Sequence, residues 1–450
     1  MRAKINKAKF RLMDRLRGTE ALKFYQQFLE TQWLSAEAIC DWQWERVQNL
    51  LHHAYDHVPY YRKLFSDNGM HPNDIGSWED FRRIPILSKR TIRANSEAML
   101  ADNRRVFHPH KKATSGSTGA PLQYFLDKKS HSTKWAIVYR LWHLAGWRPG
   151  DKVVFLGGTS LYPSVRAMVK WLYVRLNNWL LLSAFDMSEK NMRLWANRVR
   201  RFNANYMHAY ASSAYLFAKF VEQNHITDVQ FKAVFTTAEP LLLHYRETIR
   251  RVFNSEVFDL YGAADGGGFA FECEQHYGLH CASESCVLEV IRDGQLVNTL
   301  GDTGEIISTD LFNYAMPFIR YKVDDVARVG NATCKCGRGL LLLQEIKGRS
   351  HDYVQTSDGT KVHGEFFDYL FREMDWVSQF QIIQQSESDL LVYVNPSQMP
   401  QKTKIKWIQD FLSQKFAGMR IEVILTGQIP KTRSGKFNYI VNKLSNESLA

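Results

Sequence analysis

The chain has 450 residues, of which 45% are hydrophobic and 13% aromatic, and 58 basic residues against 46 acidic ones give a net charge of +12. This length allows two or three domains around a large core, and the composition excludes a disordered chain. The positive charge suits anionic ligands or an anionic surface. No run of about 18 apolar residues occurs, so the sequence predicts no transmembrane helix.

The N-terminal segment, residues 1–17, is basic but lacks the apolar stretch of a secretory signal. Its apolar residues alternate with lysines and arginines. This pattern leaves open a weak amphipathic helix at a membrane surface, although a solvated basic helix is favoured. Six unevenly placed cysteines argue against a disulfide framework and for a reducing compartment. We therefore expect a cytoplasmic protein, and peripheral contact with the inner face of a membrane stays open.

Residues up to about 105 are predicted to be mostly helical, because apolar residues recur at helical spacing from Ala21 to Leu34 and from Trp42 to Tyr55. After Leu122, short apolar strands alternate with helices, which predicts parallel βαβ units in a three-layer α/β body. Strands dominate beyond Val287, and the last part of the chain is predicted to form a small α+β domain. We place the large domain at residues 1–347 and the small one at residues 348–450.

Six consecutive residues between the helical region and the first strand are hydroxyl residues or glycines. They are Thr114, Ser115, Gly116, Ser117, Thr118 and Gly119. Glycines allow a tight turn, and the backbone and hydroxyl donors of such a loop can form a concave site for phosphate oxygens. The spacing is not that of a Walker P-loop. Taken alone, the same composition also fits an ordinary surface turn.

Carboxylates and a lysine occur where nucleotide chemistry would need them. The segment from Asp259 to Asp265 ends a predicted strand, and ligands of open α/β sheets bind at the carboxyl ends of strands. A second acidic segment ends at Asp325, and a basic one ends at Lys436. An acidic side chain can bind Mg²⁺ through oxygen, and a lysine can stabilise negative charge that develops on a transferred group.

This ordered set of motifs resembles the adenylate-forming (acyl-CoA synthetase) superfamily, and specifically its phenylacetate–CoA ligase and CapK-like capsular-polysaccharide branch. The resemblance extends over almost the whole chain, including residues 53–62 and 87–89 of the opening helices. It implies the adenylate-forming enzyme fold: a large three-layer α/β N-terminal domain followed by a small, mobile α+β C-terminal domain.

The resemblance also implies roles for individual residues. It assigns Thr114–Gly119 to the ATP phosphates and places Glu239, in Ala238-Glu239-Pro240, just before the adenine pocket. In the motif Tyr261-Gly262-Ala263-Ala264-Asp265, the aromatic residue lies against adenine and Asp265 meets Mg²⁺. The remaining assignments are Asp325 with Arg320 in the ribose segment, Arg349 in the interdomain hinge at residues 348–352, and Lys436 on the carboxylate and α-phosphate.

Four positions depart from the pattern of the branch. Ala264 replaces a hydroxyl residue, Asp265 is one methylene shorter than the usual glutamate, Asp324 replaces a glycine, and His351 replaces an acid in the hinge. None of these changes removes a group that adenylation requires, although together they allow a slow or divergent enzyme.

Cysteines and a histidine have spacing typical of a metal site. Cys334 and Cys336 form a C-x-C turn that suits two thiolates on one ion, and Cys273 with His280 can complete a tetrahedral site. Relatives in the branch raise the expectation of a structural Zn²⁺ here. His276 and Cys281 are the alternative ligands, and ordinary free thiols remain the other interpretation. A catalytic zinc is disfavoured because four protein ligands leave no open position.

These observations predict ATP-dependent activation of a carboxylic acid as an acyl-adenylate, with release of pyrophosphate and transfer to an acceptor. The resemblance implies coenzyme A as acceptor and a place in cell-surface polysaccharide biosynthesis. A carrier-protein- or amide-forming ligase is an alternative, as is a non-catalytic, zinc-stabilised basic protein that binds nucleic acid or membrane. Candidate residues of the acid pocket, for which core packing stays open, are Trp135, Tyr139, Gly157, Tyr210 and Gly266.

Overall fold

The structure is a computed structural model that describes residues 12, 14, 18–113, 122–158, 167–330, 333–349, 353–356, 359–363, 365–372, 374, 376–429 and 437–444. The opening region is helical, as predicted. Its helices are α1 (Ala21–Thr31), α2 (Ala36–His57), α3 (Pro59–Asp67), α4 (Trp78–Arg82) and α5 (Lys89–Ala94). Ser35, Ser77 and Ser88 each accept a backbone N–H at a helix start. α2 ends at His57, because Val58 precedes a proline and leaves the helical region.

A hairpin follows, with β1 (His110–Ala113) paired antiparallel to β2 (Gln123–Leu126). Its connection contains the predicted phosphate loop, and the loop lies outside the described residues. Ala113 and Gln123 are opposite each other in the ladder, so the two ends of the loop are held side by side.

A sheet of twelve strands forms the body of the protein, in the order β11-β10-β12-β13-β14-β9-β8-β7-β6-β5-β3-β4. The strands are β3 (Val153–Gly157), β4 (Trp179–Ser183), β5 (Tyr206–Tyr210), β6 (Ala233–Thr237), β7 (Glu256–Ala263), β8 (Gly268–Glu272), β9 (Leu279–Cys281), β10 (Cys286–Arg292), β11 (Gln295–Leu296), β12 (Thr303–Asp310), β13 (Tyr321–Val329) and β14 (Leu342–Arg349). The helices between them are α6 (Lys128–Leu144), α7 (Ala167–Leu176), α8 (Glu189–Phe202), α9 (Ala211–Gln223) and α10 (Leu243–Phe253).

Strands β3 to β7 are parallel, and the sheet becomes antiparallel at the pair β7–β8. Successive residues of β3 enter two different cores: Val153 and Phe155 pack on one face, and Val154 and Leu156 on the other. Because both faces of the parallel half are covered, the predicted three-layer α/β body is confirmed.

The last part of the chain has its own sheet, in the order β19-β18-β17-β20, and a small hairpin β15–β16. The elements are β15 (Tyr353–Gln355), β16 (Lys361–His363), α11 (Glu365–Arg372), β17 (Val377–Gln384), β18 (Asp389–Pro396), α12 (Lys402–Lys415), β19 (Arg420–Leu425) and β20 (Ile440–Asn442). A separate apolar core, from Val354 to Ile440, packs beneath this sheet. The predicted small α+β unit is therefore present, and the boundary at residue 347 stays a prediction.

Hydrogen bonds to backbone groups join the opening helical region to the strand-rich half of the sheet. The Tyr61 hydroxyl donates to the Pro317 carbonyl (2.9 Å) and accepts from the Ile319 amide (3.0 Å). Leu87 donates its amide to the Arg320 carbonyl and accepts from the Lys322 amide, both at 2.9 Å. In the described ranges, no helix combines the length and the apolar content that crossing a membrane requires.

His208 on β5 is buried in an aromatic core beside Trp142 and Phe155. The Trp142 indole N–H lies 3.3 Å from its Nδ1, so Nδ1 is the acceptor and the neutral ring carries its proton on Nε2. Burial disfavours the charged ring and lowers the pKa of His208 to about 3.

We expect His208 to make the protein less stable in acid. The pKa in the folded state is below the unfolded value of about 6.5, so the unfolded chain gains the proton first and stability falls as pH drops through 6.5. Between pH 7 and 5 the free energy of unfolding should fall by about 2 kcal/mol more in the wild type than in His208→Gln. Denaturant unfolding at both pH values tests this, with the exposed His52→Gln as control. Equal pH dependence in wild type and His208→Gln would contradict it.

Candidate active site

A cavity of about 480 Å³ lies at the carboxyl ends of β6 and β7, between the large sheet and a segment of the small unit. Polar and apolar groups from several parts of the chain line it, among them residues 238–243, residues 259–262, Asp325, residues 344–348 and residues 437–439. Its position agrees with the rule that open α/β sheets bind ligands at the carboxyl ends of their strands.

Tyr261 and Asp325 meet in this cavity. The Tyr261 hydroxyl donates to Asp325 Oδ2 at 2.6 Å, and this bond joins the end of β7 to β13 across the sheet. Burial and the Asp325 carboxylate together raise the pKa of Tyr261 well above its ordinary value, so the hydroxyl stays protonated and remains a donor. The structure thus brings together the residues predicted for adenine and ribose.

Glu239 also lines the cavity, directly after β6. Its carboxylate accepts the Ser212 amide at the start of α9 (2.9 Å) and the Phe437 amide of the small unit (2.5 Å). The predicted catalytic Lys436 precedes Phe437 and lies outside the described residues. The described geometry therefore places the residue that follows Lys436 at the cavity.

Asp265 lies in the turn that joins β7 to β8. Its Oδ2 accepts the Tyr321 hydroxyl at 2.7 Å. The preceding motif residues have tight neighbours: a side chain at Gly262 would meet the Phe269 ring at 2.7 Å, and Ala263 is buried opposite Gly268. The small residues at 262 and 263 therefore permit the close β7–β8 pairing that positions Asp265.

Lys134 on α6 supports the same turn. It was not among the predicted site residues. Its Nζ donates to the Ala264 carbonyl at 2.5 Å and lies 3.5 Å from Asp310 Oδ2. Burial lowers the pKa of Lys134, and the charges of Asp310 and Asp265 act in the opposite direction. Gly267 lies at φ +73°, and a side chain there would strike Asp310. A buried lysine in the middle of a helix gives no local sequence signal for such a contact.

Arg320 is not in the cavity. Its side chain is 4% exposed and donates to Glu289 Oε2 at 3.1 Å, to the Ile84 carbonyl at 2.6 Å and to the Arg82 carbonyl. This geometry therefore does not place Arg320 where the predicted ribose contact would lie. Because the guanidinium is always charged, burial requires partners of this kind, and these are backbone carbonyls of the opening helices and Glu289.

The structure describes only the backbone of Arg349. It ends β14 and pairs with Asp325 in the ladder, and its side chain lies outside the described part of the chain. The phosphate-loop residues Thr114–Gly119 and Lys436 also lie outside it, as does His351. Their predicted roles stay predictions.

The candidate pocket aromatics are packed in the core. Tyr139 is 1% exposed and stacks on Trp147 at a centroid distance of 5.4 Å, and Tyr210 is fully buried. Trp135 stacks on Trp179 at 5.5 Å. Gly157 ends β3, and the Gly266 carbonyl accepts the Ser308 hydroxyl at 2.8 Å. These five residues do not line the 480 Å³ cavity.

Other cavity residues, which had no predicted role, form a charged network. Asp259 accepts the Thr236 hydroxyl at 2.7 Å, and its amide donates to Glu272 at 2.9 Å. Arg246 donates to Glu272 at 2.8 Å. Burial and the nearby Glu272 raise the pKa of Asp259 to about 6. Acidic residues within a strand are a usable signal, because a buried strand otherwise carries apolar side chains.

The four predicted metal ligands lie together. The ligand atoms of Cys273, His280, Cys334 and Cys336 are all within 4.8 Å of one another. Cys273 Sγ lies 3.8 Å from Cys334 Sγ, and His280 Nε2 lies 3.3 Å from Cys336 Sγ. The alternative ligand His276 instead faces Glu272, at 3.3 Å. Three sulfurs and one imidazole form a donor set that fits a tetrahedral zinc.

Asp324, one of the departures, has a structural explanation. Its φ of +67° lies in the left-handed region that favours glycine, and its carboxylate forms an ion pair with Lys89 at 2.8 Å. An L-residue in this region costs about 1–2 kcal/mol, less for Asp, and an ion pair of this exposure returns at most about 1 kcal/mol. The two contributions nearly cancel.

Substitutions at Asp324 should separate these two contributions. We expect Asp324→Gly to change the free energy of unfolding by less than about 1 kcal/mol, because it loses the pair and relieves the backbone. Asp324→Ala should be less stable than Asp324→Gly by about 1–2 kcal/mol, since it loses the pair and keeps the strain. Denaturant unfolding of both variants measures this difference, and equal stability of Ala and Gly would contradict it.

Known proteins match the chain at three levels. Residues 354–443 match the family of CapK C-terminal domains. The chain is 29% identical to a phenylacetate–coenzyme A ligase from Pseudomonas putida over 343 residues, which cover 71% of this chain and 72% of the relative. It is 22% identical to Protein CapK from Staphylococcus aureus over 411 residues, with 89% and 88% covered.

A solved 2-hydroxyisobutyryl-CoA ligase, in the postadenylation state with 2-HIB-AMP, matches with a TM-score of 0.71 at 20% identity and covers 90% of both chains. For the same ligase with 2-HIB-AMP and CoA in the thioesterification state the TM-score is 0.61. The fold is that of the adenylate-forming ligases, and the prediction of such a ligase is confirmed. Within that class, the resemblance to the phenylacetate–CoA ligase and CapK branch is confirmed as well.

Proposed function

We propose that the protein activates a carboxylic acid as an acyl-adenylate, releases pyrophosphate, and transfers the acyl group to the thiol of coenzyme A. The observation that supports this most directly is the cavity of about 480 Å³, where Tyr261, Asp325 and Glu239 meet the segment that follows Lys436. ATP would lie there with its adenine on Tyr261 and its ribose hydroxyls on Asp325. Its phosphates would extend toward Thr114–Gly119.

The residues near Asp265 fit Mg²⁺. Carboxylate oxygen is a ligand that Mg²⁺ prefers, and the Tyr321 hydroxyl fixes one oxygen of Asp265 and orients the group. The Lys134 bond to the Ala264 carbonyl holds the same turn in place. When bound, Mg²⁺ would neutralise charge on the phosphates of ATP.

In the first step, an oxygen of the substrate carboxylate would attack the α-phosphorus of ATP. The new O–P bond forms as the bond to the α–β bridging oxygen breaks, and pyrophosphate leaves. The Lys436 ammonium would stabilise negative charge on the carboxylate and α-phosphate oxygens in the transition state. In the second step, the thiolate would attack the acyl carbon, and AMP would leave with the carboxyl oxygen.

The small unit would turn about residues 348–352 between the two steps, with Arg349 in the hinge. The Glu239–Phe437 bond supports an arrangement of the small unit suited to the first step, because it holds the residue after Lys436 at the cavity.

The acceptor and the pathway rest on similarity. Coenzyme A is supported by the names of the ligases that the chain resembles. A place in cell-surface polysaccharide biosynthesis is supported only by the likeness to Protein CapK, at 22% identity. An ATP–pyrophosphate exchange screen across carboxylic acids would identify the acid. Trapping the acceptor would then separate a CoA ligase from a carrier-protein- or amide-forming ligase.

We expect Lys436→Ala to lose about 100- to 1,000-fold in ATP–pyrophosphate exchange, because it removes the cation that faces the developing charge. ATP binding should persist, since the adenine and ribose contacts remain. The matched control is Lys443→Ala, which removes an exposed lysine of the same unit. Exchange at the wild-type rate in Lys436→Ala would refute the proposed role.

We also propose that Cys273, His280, Cys334 and Cys336 bind a structural zinc ion. The ion would join the segment after β8 and the start of β9 to the loop before β14, which are distant in the chain.

Elemental analysis should find about one zinc per chain in the wild type and almost none in a Cys334→Ser/Cys336→Ser double variant, whose unfolding temperature should also fall. Cys40→Ser is the control, because Cys40 lies apart from the cluster and contacts Trp78. A wild-type protein purified without chelators that contains no zinc would remove the proposal.

A further inference from the structure

The backbone just before Glu239 is strained, and this strained turn sets the direction of the Glu239 side chain. Ala238, the residue before it, lies at φ +72°, where a residue with a side chain is strained. Such strain persists only where the surrounding structure imposes it, and it concentrates at functional positions. At this position it turns the chain sharply after β6 and brings Glu239 to the start of α9.

One carboxylate oxygen of Glu239 is bonded to a helix that packs on the large sheet. Oε2 accepts the Ser212 amide in the first turn of α9, a helix of 13 residues. The amides of a helix N-terminus have no partner within the helix and carry partial positive charge, so they stabilise a carboxylate. The group is therefore held and oriented independently of the small unit.

The other oxygen holds the small unit. Oε1 accepts the Phe437 amide at 2.5 Å, across 198 residues of sequence. The Phe437 side chain is 7% exposed and packs in the core beneath the sheet β17–β20. A movement of that core would therefore move the Phe437 amide. Lys436 would move as well, because it is the preceding residue in the chain.

We propose that Glu239 is a positioning residue that latches the small unit to the large sheet through the Phe437 amide for adenylation, and that this bond breaks before the acyl group is transferred. This inference rests on the proposed function. It goes beyond it by assigning the side chain of Glu239 to the small unit rather than to the nucleotide. It also implies that the two half-reactions respond differently to the loss of the carboxylate.

Glu239→Ala should lower ATP–pyrophosphate exchange by about 10- to 100-fold, the loss expected for a hydrogen bond to a charged group. Release of AMP from synthetic acyl-adenylate and CoA should stay at the wild-type rate or rise. Glu239→Gln keeps one acceptor oxygen for the two amides and should recover only part of the exchange. The control is Glu247→Ala, which removes an exposed acid on α10. Equal losses in both half-reactions, or no loss of exchange, would overturn the latch.

Amide hydrogen exchange tests the latch without reference to catalysis. In the purified chain, the Phe437 amide should exchange faster in Glu239→Ala than in the wild type and in Glu247→Ala. Unchanged exchange at Phe437 would overturn the latch even if activity fell. A wild type that shows no pyrophosphate exchange with any acid would instead overturn the proposed function, so the two failures are distinguishable.

Discussion

The change from parallel to antiparallel pairing at β7–β8 is the constraint on which the rest of the site depends. Parallel strands deliver their carboxyl ends to one edge of the sheet, and the tight return into β8 places Asp265 at that edge. The turn tolerates little bulk, as the contacts around Gly262 and Gly267 show. Tyr261 then spans the junction to Asp325, so one short segment connects both halves of the sheet and the cavity.

Two of the departures from the usual motif lie beside lysines. Where Asp324 replaces glycine, Lys89 neutralises the added charge, and Lys134 binds the backbone carbonyl of Ala264. Both lysines come from helices, whereas the motif lies on strands. Because a buried carboxylate without a partner costs several kcal/mol, such partners are a physical requirement for an acidic site of this density.

Local patterns explain how much of the protein was predictable. Apolar residues at helical spacing predicted the opening helices, and the alternating strands and helices predicted the layered body, because both depend on neighbouring residues. The metal ligands were found from spacing and similarity together. The Lys134, Tyr321 and Phe437 contacts could not be predicted, since each joins segments separated by 56 to 198 residues and depends on packing that no short pattern encodes. Arg320 shows the converse: its motif position suggested a ligand contact, and its burial gives it another partner.

The Tyr61 hydroxyl bonds have a consequence for biosynthesis. Its partners, Pro317 and Ile319, emerge from the ribosome more than 250 residues later. At the usual rates of synthesis, about 5–20 residues per second, the opening helices wait tens of seconds with their apolar faces uncovered. Chains of such long-range topology fold slowly and aggregate more readily than locally connected ones. Growth at low temperature or with holdase chaperones is therefore the sensible first choice for producing this protein.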